Sequence, residues 1–90
     1  MLTLARGSDI SLADVAALFA EVFQIPAETV NSATSADDVP GWDSMGHLVL
    51  VQTIEERFKI MLEMNEMFEI VDVGSALTVL QRHGVSGHAN

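Results

Sequence analysis

The chain contains no cysteine. That excludes a disulfide framework, a thiol nucleophile and a thiolate zinc site, and it suits a reducing compartment. Basic residues are scarce. Arg6, Arg57, Lys59 and Arg82 stand against 13 acidic residues, for a formal net charge of −9. Neutralising nucleic-acid phosphates takes clustered lysine and arginine, so an autonomous nucleic-acid binder is excluded and anionic membrane surfaces are disfavoured. No apolar run approaches the roughly 18–20 residues of a membrane span. Met1 to Arg6 lacks a basic segment followed by a long apolar one, so no signal peptide is expected and the cytoplasm is the expected location. The two-residue alternation of a half-buried strand is also missing, which argues against a sheet. What remains is 90 residues, 49% of them hydrophobic. That is too apolar for a disordered acidic tail and too short for a two-domain enzyme. A single domain spanning residues 1–90 is expected, with an ordered core of about 10–83 and frayed tails.

Helical periodicity organises the chain. Ser11 is a good N-cap for a helix from Ile10 to Gln24, with Asp14 three residues on and Ile10 and Val15 at the spacing of a hydrophobic staple. Val15, Leu18, Phe19, Val22 and Phe23 form its apolar stripe, and Pro26 is expected to end it. Ile25 to Asp43 reads as a long loop, rich in small polar residues and anchored at Val30 and Val39, with a turn at Asp38-Val39-Pro40-Gly41. A second helix is expected from Ser44 to Lys59. Met45, Leu48, Val51, Ile54 and Phe58 step along its inward face, Leu50 widens it, and Glu55 and Glu56 lie on the polar side. Ile60 to Asn65 connects to a short turn of helix at Glu66 to Ile70. Asp72 caps a last helix through Arg82, with Val73, Ala76, Leu77 and Leu80 inward and Gly84 closing it. Val85 to Asn90 reads as frayed. The expected fold class is all-α: a small four-helix bundle of three main helices and one short one.

The chemistry-bearing stretch is Asp38-Val39-Pro40-Gly41-Trp42-Asp43-Ser44-Met45-Gly46-His47-Leu48. Here a serine stands where a long loop becomes a helix. Backbone N–H groups lack partners there and the helix dipole favours an anion. Ser44, or Asp43 before it, also has a purely structural reading as an N-cap. Trp42 either packs the loop onto the bundle, the commoner role, or stands out as an anchor for partners. His47 reads as a solvated helix residue, with a partner contact as the alternative. Val49 is an exposed apolar contact or the edge of the core stripe. Met61, Met64 and Met67 read first as adaptable core packing and second as the lining of a site for cargo or a partner.

Asp43-Ser44-Met45, followed by an amphipathic helix ending Ile54-Glu55-Glu56-Arg57-Phe58, resembles the acyl carrier and peptidyl carrier protein family. Ala20-Glu21-Val22-Phe23-Gln24-Ile25 before Pro-Ala-Glu is similar to the family's first helix and loop. Val73-Gly74-Ser75-Ala76-Leu77 is similar to the start of its fourth helix. The resemblance covers about Val15 to Arg82. It implies a carrier rather than an enzyme, in which Ser44 receives 4′-phosphopantetheine from coenzyme A. The arm's thiol then holds an acyl or aminoacyl group as a thioester, and would be the only thiol on a cysteine-free chain. The implied role of Asp43 is to help orient magnesium and cofactor during loading, which is compatible with capping.

The implied partners are a phosphopantetheinyl transferase, a loading ligase and downstream acyl-transfer enzymes, with the chain itself a monomer. They would dock on the loop before Ser44, helix two and the short helix, through Trp42, Met45, His47, Val49, Glu55 and Glu56. The positions of Gly46 and Val49 are usually acidic in fatty-acid carriers, and Arg57 replaces another typical acid. The pattern is more similar to free-standing carriers of specialised pathways. A different reading is a non-covalent helical interaction module with a carrier-like fold.

Catalytic readings fail on spacing. Ser44, His47 and Asp43 crowd one helical turn and cannot form a triad. A nucleophile elbow would need glycine where Trp42 stands. Asp37 to Gly41 lacks the ligand ladder of a calcium loop. His83 and His88 are too loosely placed for a metal site.

Overall fold

Ser11 begins the first helix as its side-chain chemistry requires. Its hydroxyl accepts the Asp14 N–H at 3.3 Å while the Asp14 carboxylate accepts the Ser11 N–H at 3.0 Å. The helix, α1, is Leu12–Phe23, and it buries Val15, Ala16, Leu18 and Phe19. Its end is set by Gln24, which turns left-handed (φ 59°) and donates its N–H to the Ala20 carbonyl, not by Pro26. Pro26 instead opens a single 3-10 turn, Ala27–Thr29. The structure, a computed structural model, describes residues 10–85. Within them lie α1, α2 (Ser44–Phe58), α3 (Met64–Glu69) and α4 (Val73–Arg82), and α1 packs on both α2 and α4 while α3 packs on α4. This is a four-helix bundle with three main helices and one short one, as expected.

The long loop is stitched to α4. Thr34 is buried, its hydroxyl accepts the Asn31 N–H at 2.9 Å, and its carbonyl accepts the Val73 N–H at 3.0 Å. The Ser32 carbonyl accepts the Gly74 N–H at 2.8 Å, and Asp72 takes the Ser75 N–H at 2.7 Å. All three leading amides of α4 therefore have partners, which a buried helix start demands.

The inward face of α2 differs from the expected row. Leu50, Val51 and Ile54 are buried and Phe58 is half-buried, whereas Met45 is 71% and Leu48 56% exposed. Steps of three residues slip back by about 60° each on a helix of 3.6 residues per turn, so a row begun at Met45 starts outside and winds onto the core face only from Val51. The face that meets the core is centred on His47, Leu50, Val51, Ile54 and Phe58. Lys59 ends α2 in the left-handed region (φ 57°).

α3 begins two residues before the expected turn. Met67 packs against the core, but Met61 and Met64 are exposed, correcting the expectation that all three pack inward. Buried Leu62 and Ile70 anchor the two sides of this segment and leave the intervening methionines outward. α4 buries Val73, Ala76, Val79 and Leu80, with Leu77 half-buried rather than fully inward. Gly84 (φ 69°) closes it: the Gly84 N–H reaches the Gln81 carbonyl and the Val85 N–H the Leu80 carbonyl, the Schellman pattern. Val85 is buried, not frayed, and its carbonyl accepts the Ile10 N–H at 3.2 Å. The expected frayed tails, residues 1–9 and 86–90, lie outside the described residues, as does His88.

Ion pairs tie the helices from outside. Arg57 meets Glu21 at 2.7 Å across α2 and α1, and Arg82 bonds Glu69 across α4 and α3. The His83 ring donates to the Glu66 carboxylate at 3.0 Å. The Glu63 backbone N–H first, and the His83 hydrogen bond next, hold the Glu66 carboxyl below its ordinary value. None of the described helices is long and apolar enough to cross a membrane.

Candidate functional site

The start of α2 is capped by Asp43. Its extended backbone lets the carboxylate accept the Gly46 N–H at 2.8 Å, and its carbonyl accepts the His47 N–H at 2.8 Å. Ser44 therefore occupies the first helical position, exposed, and capping does not use its hydroxyl. That oxygen stands in the first turn of a 15-residue helix, at its positive dipole end, a setting that favours an attached anion. The hydroxyls of Ser11 and Ser75 are by contrast bound within capping boxes.

Gly46 is required by contact. A Cβ there would lie 2.0 Å from the Gly41 carbonyl oxygen and 3.1 Å from the Phe23 ring. The turn at Pro40-Gly41 presses onto the first turn of α2, and any side chain at position 46 would lift it away. Loop packing thus accounts for the missing acid at this position.

Trp42 is 6% exposed. Its indole stacks on Phe23 (5.6 Å between centroids, 25°) and meets Phe19 edge-on (5.1 Å, 64°). On its other side lies the imidazole of His47, nearly parallel at 5° and 6.2 Å away. The expectation of Trp42 as an exposed partner anchor is corrected: these three rings hold it inside, in the packing role. His47 is likewise half-buried, not solvated. The indole Nε1–H donates to His47 Nδ1 at 2.9 Å, and His47 Nε2 lies 2.9 Å from the Met67 carbonyl oxygen. An indole nitrogen only donates and a carbonyl only accepts, so the imidazole carries its proton on Nε2. One ring thus joins the loop, α2 and α3.

Beside Ser44 opens a cleft of about 610 Å³. Buried Trp42 and Ile70 lie at its bottom with His47. Asp43 and Ser44 stand at one edge, and exposed Leu48, Phe68 and Val71 rim it. Of the other expected docking residues, Met45 and Val49 are exposed apolar side chains on the outer face of α2, and Glu56 is exposed beside them. Glu55 is half-buried, and its carboxylate accepts the Leu62 N–H at 2.9 Å, pinning the α2–α3 connection. Sequence reasoning missed Leu48, Phe68 and Val71 as cleft residues. Plotting α2 at 100° per residue would have turned Leu48 outward; Phe68 and Val71 carried no comparable signal.

Similarity to known proteins falls on the same elements. A family model described as a phosphopantetheine attachment site matches residues 13–80. Among solved structures, the solution NMR structure of the holo acyl carrier protein from Geobacter metallireducens is similar, with 27% identity and a TM-score of 0.71 over 79% of this chain and 82% of that one. No curated protein matches the chain.

Proposed function

The chain belongs to the phosphopantetheine-attachment family of carrier proteins, and from that premise we propose that Ser44 is the residue that bears the arm. As a carrier it is not an enzyme, and its cofactor is covalently attached 4′-phosphopantetheine. The observation that carries the assignment to Ser44 is an exposed hydroxyl in the first turn of α2 whose capping duty has passed to Asp43. The residues present suit the group. The helix start favours the charge of a phosphodiester, the cleft lies alongside, and the Asp43 carboxylate is engaged with the Gly46 N–H.

In loading, the Ser44 oxygen forms its bond to the phosphorus of the incoming group. The nucleotide half of coenzyme A leaves, and the hydroxyl proton passes to the transferase. When attached, the arm supplies a terminal thiol that holds an acyl group as a thioester. Asp43 fixes the direction of the helix start and, in this reading, presents its remaining carboxylate oxygen to the magnesium that a transferase brings. Gly46 lets the Pro40-Gly41 turn close over α2, so that Ser44 emerges from a rigid frame.

Carrier proteins in general meet phosphopantetheinyl transferases and acyl-handling enzymes. Here the loading enzyme is a ligase for an acyl or aminoacyl group, and the pathway is a specialised one in the cytoplasm rather than core fatty-acid synthesis. The outer face of α2 supports this, with Met45 and Val49 exposed. Docking then relies more on apolar contact than on carboxylates.

Intact-mass measurement after incubation with coenzyme A and a broad-specificity transferase tests the assignment. Wild type gains one phosphopantetheinyl group and Ser44→Ala gains none. No gain on wild type, or the same gain on Ser44→Ala, overturns it, and an unmodified chain from its native host would favour the non-covalent interaction module.

A further inference from the structure

The bottom of the cleft beside Ser44 is built from polar bonds as well as apolar surface. Trp42 and Ile70 are buried there, and His47 lies between α2 and α3 with both ring nitrogens engaged. Behind them the interior is filled: Phe19, Leu50 and Ile54 are fully buried. A chain entering the interior from the Ser44 side has to part α3 from α2. α3 has only six residues, and the carbonyls of so short a helix end mostly lack intrahelical partners. The Met67 carbonyl has one in His47. Moving α3 breaks that bond and leaves the imidazole held by the indole alone. The entering chain would leave a carbonyl and an imidazole N–H unsatisfied beside apolar groups, both of them costly. Burial of the entering chain must outweigh that loss. The rim offers apolar surface without it, through exposed Leu48, Phe68 and Val71.

We propose that the clasp of Trp42, His47 and the Met67 carbonyl shuts the helical interior against the cargo, so that the thioester travels in the open cleft. The cargo class this selects is a short or polar acyl group rather than a long aliphatic chain. His47 is the positioning residue. The inference rests on attachment of the arm at Ser44, and the test scores the two separately.

Acetyl- and decanoyl-coenzyme A are offered to the chain with a broad-specificity transferase, and intact mass reports attachment. The indole N–H resonance of Trp42, the single tryptophan, is then followed by heteronuclear NMR, and thioester cleavage by hydroxylamine is timed. On wild type the indole resonance is the same for unloaded, acetyl and decanoyl forms, and the two thioesters are cleaved at equal rates. On His47→Leu, which fills the space without the hydrogen bonds, the decanoyl form shifts the indole resonance and is cleaved about fivefold more slowly than the acetyl form. His47→Gln keeps one acceptor and one donor and restores wild-type behaviour. Should His47→Leu fail to fold, Trp42→Phe removes the donor while keeping a ring, and cleavage rates alone give the readout. A decanoyl-dependent indole shift with slowed cleavage on wild type overturns the proposal, as does an opened variant that still cleaves both thioesters equally. No mass gain on wild type overturns the attachment premise and the clasp's role together.

Discussion

Two helix starts in this molecule use the same residue types to opposite ends. At α4, Asp72 caps and Ser75 returns the bond, while carbonyls from Thr34 and Ser32 reach across from the loop to take the Val73 and Gly74 amides. At α2, Asp43 caps in the same manner, but the serine sits one residue after the cap instead of three. Its hydroxyl faces outward, and among the described residues no loop carbonyl is bonded to the Ser44 or Met45 amide. One start is sealed and the other is open. The difference is one of register and covering, and composition alone would not reveal it: an aspartate and a serine make a structural joint when closed over and an attachment point when left bare.

The sharpest way to break this contrast is to remove the exposed serine. Ser44→Ala abolishes loading as read by intact mass, while its thermal midpoint stays with that of wild type, because the hydroxyl caps nothing. A lowered midpoint would show that the oxygen does hold the helix start after all.

Next in size is Gly46→Ala. Helix propensity favours alanine by about 1 kcal/mol. The new Cβ nevertheless meets a backbone carbonyl at 2.0 Å, and overpacking of that kind costs about 1–3 kcal/mol or more when backbone has to move. Net destabilisation by urea titration is expected, with the Pro40-Gly41 turn displaced from α2 and the Trp42 emission altered. A variant as stable as wild type would show that the turn does not need its close seat.

Ser75→Ala comes third, and it reverses the pattern of Ser44→Ala. The Ser75 hydroxyl accepts the Val71 and Asp72 N–H groups and donates to the Asp72 carbonyl, and losing it should cost about 1–2 kcal/mol in the same titration, with loading unchanged. Equal stability would mean that the Asp72 carboxylate and the loop carbonyls hold the start of α4 without the hydroxyl.

The smallest effect is one of pH. The Glu66 carboxyl is held below its ordinary value in the folded chain, so it binds protons less readily there than in the unfolded chain. Its stabilising contribution is therefore present above the unfolded value and lost as pH falls through the lowered folded one. Glu66→Gln should flatten that part of the acid limb of stability against pH. An unchanged limb would show that the bonds from the Glu63 N–H and the His83 ring add nothing.

The starts of the three main helices were legible in the sequence because capping is local, whereas the start of α3 at Met64, capped by Glu63, was not. Ser11, Asp43 and Asp72 each act within three residues of themselves. The apolar rows were legible only in part. A row at steps of three is ambiguous on α2, and only packing against α1 decided that Leu50 and Ile54 face in while Met45 and Leu48 face out. Trp42 and His47 were harder still. Their roles depend on a carbonyl twenty residues away on α3, and nothing in the neighbourhood of His47 announces Met67. The clasp exists only after the helices have met. Ser44 stood out early because a loop-to-helix junction followed by a long amphipathic segment is written in consecutive residues.

The bond between the Ile10 N–H and the Val85 carbonyl brings the first and last described residues side by side. A short peptide bridge could therefore close the polypeptide into a ring, replacing the segments outside residues 10–85, with new ends opened in the exposed stretch Ala36 to Asp38. Such a circular permutant would keep all four helices in order around the core. It would also separate the order in which they are synthesised from the way they pack.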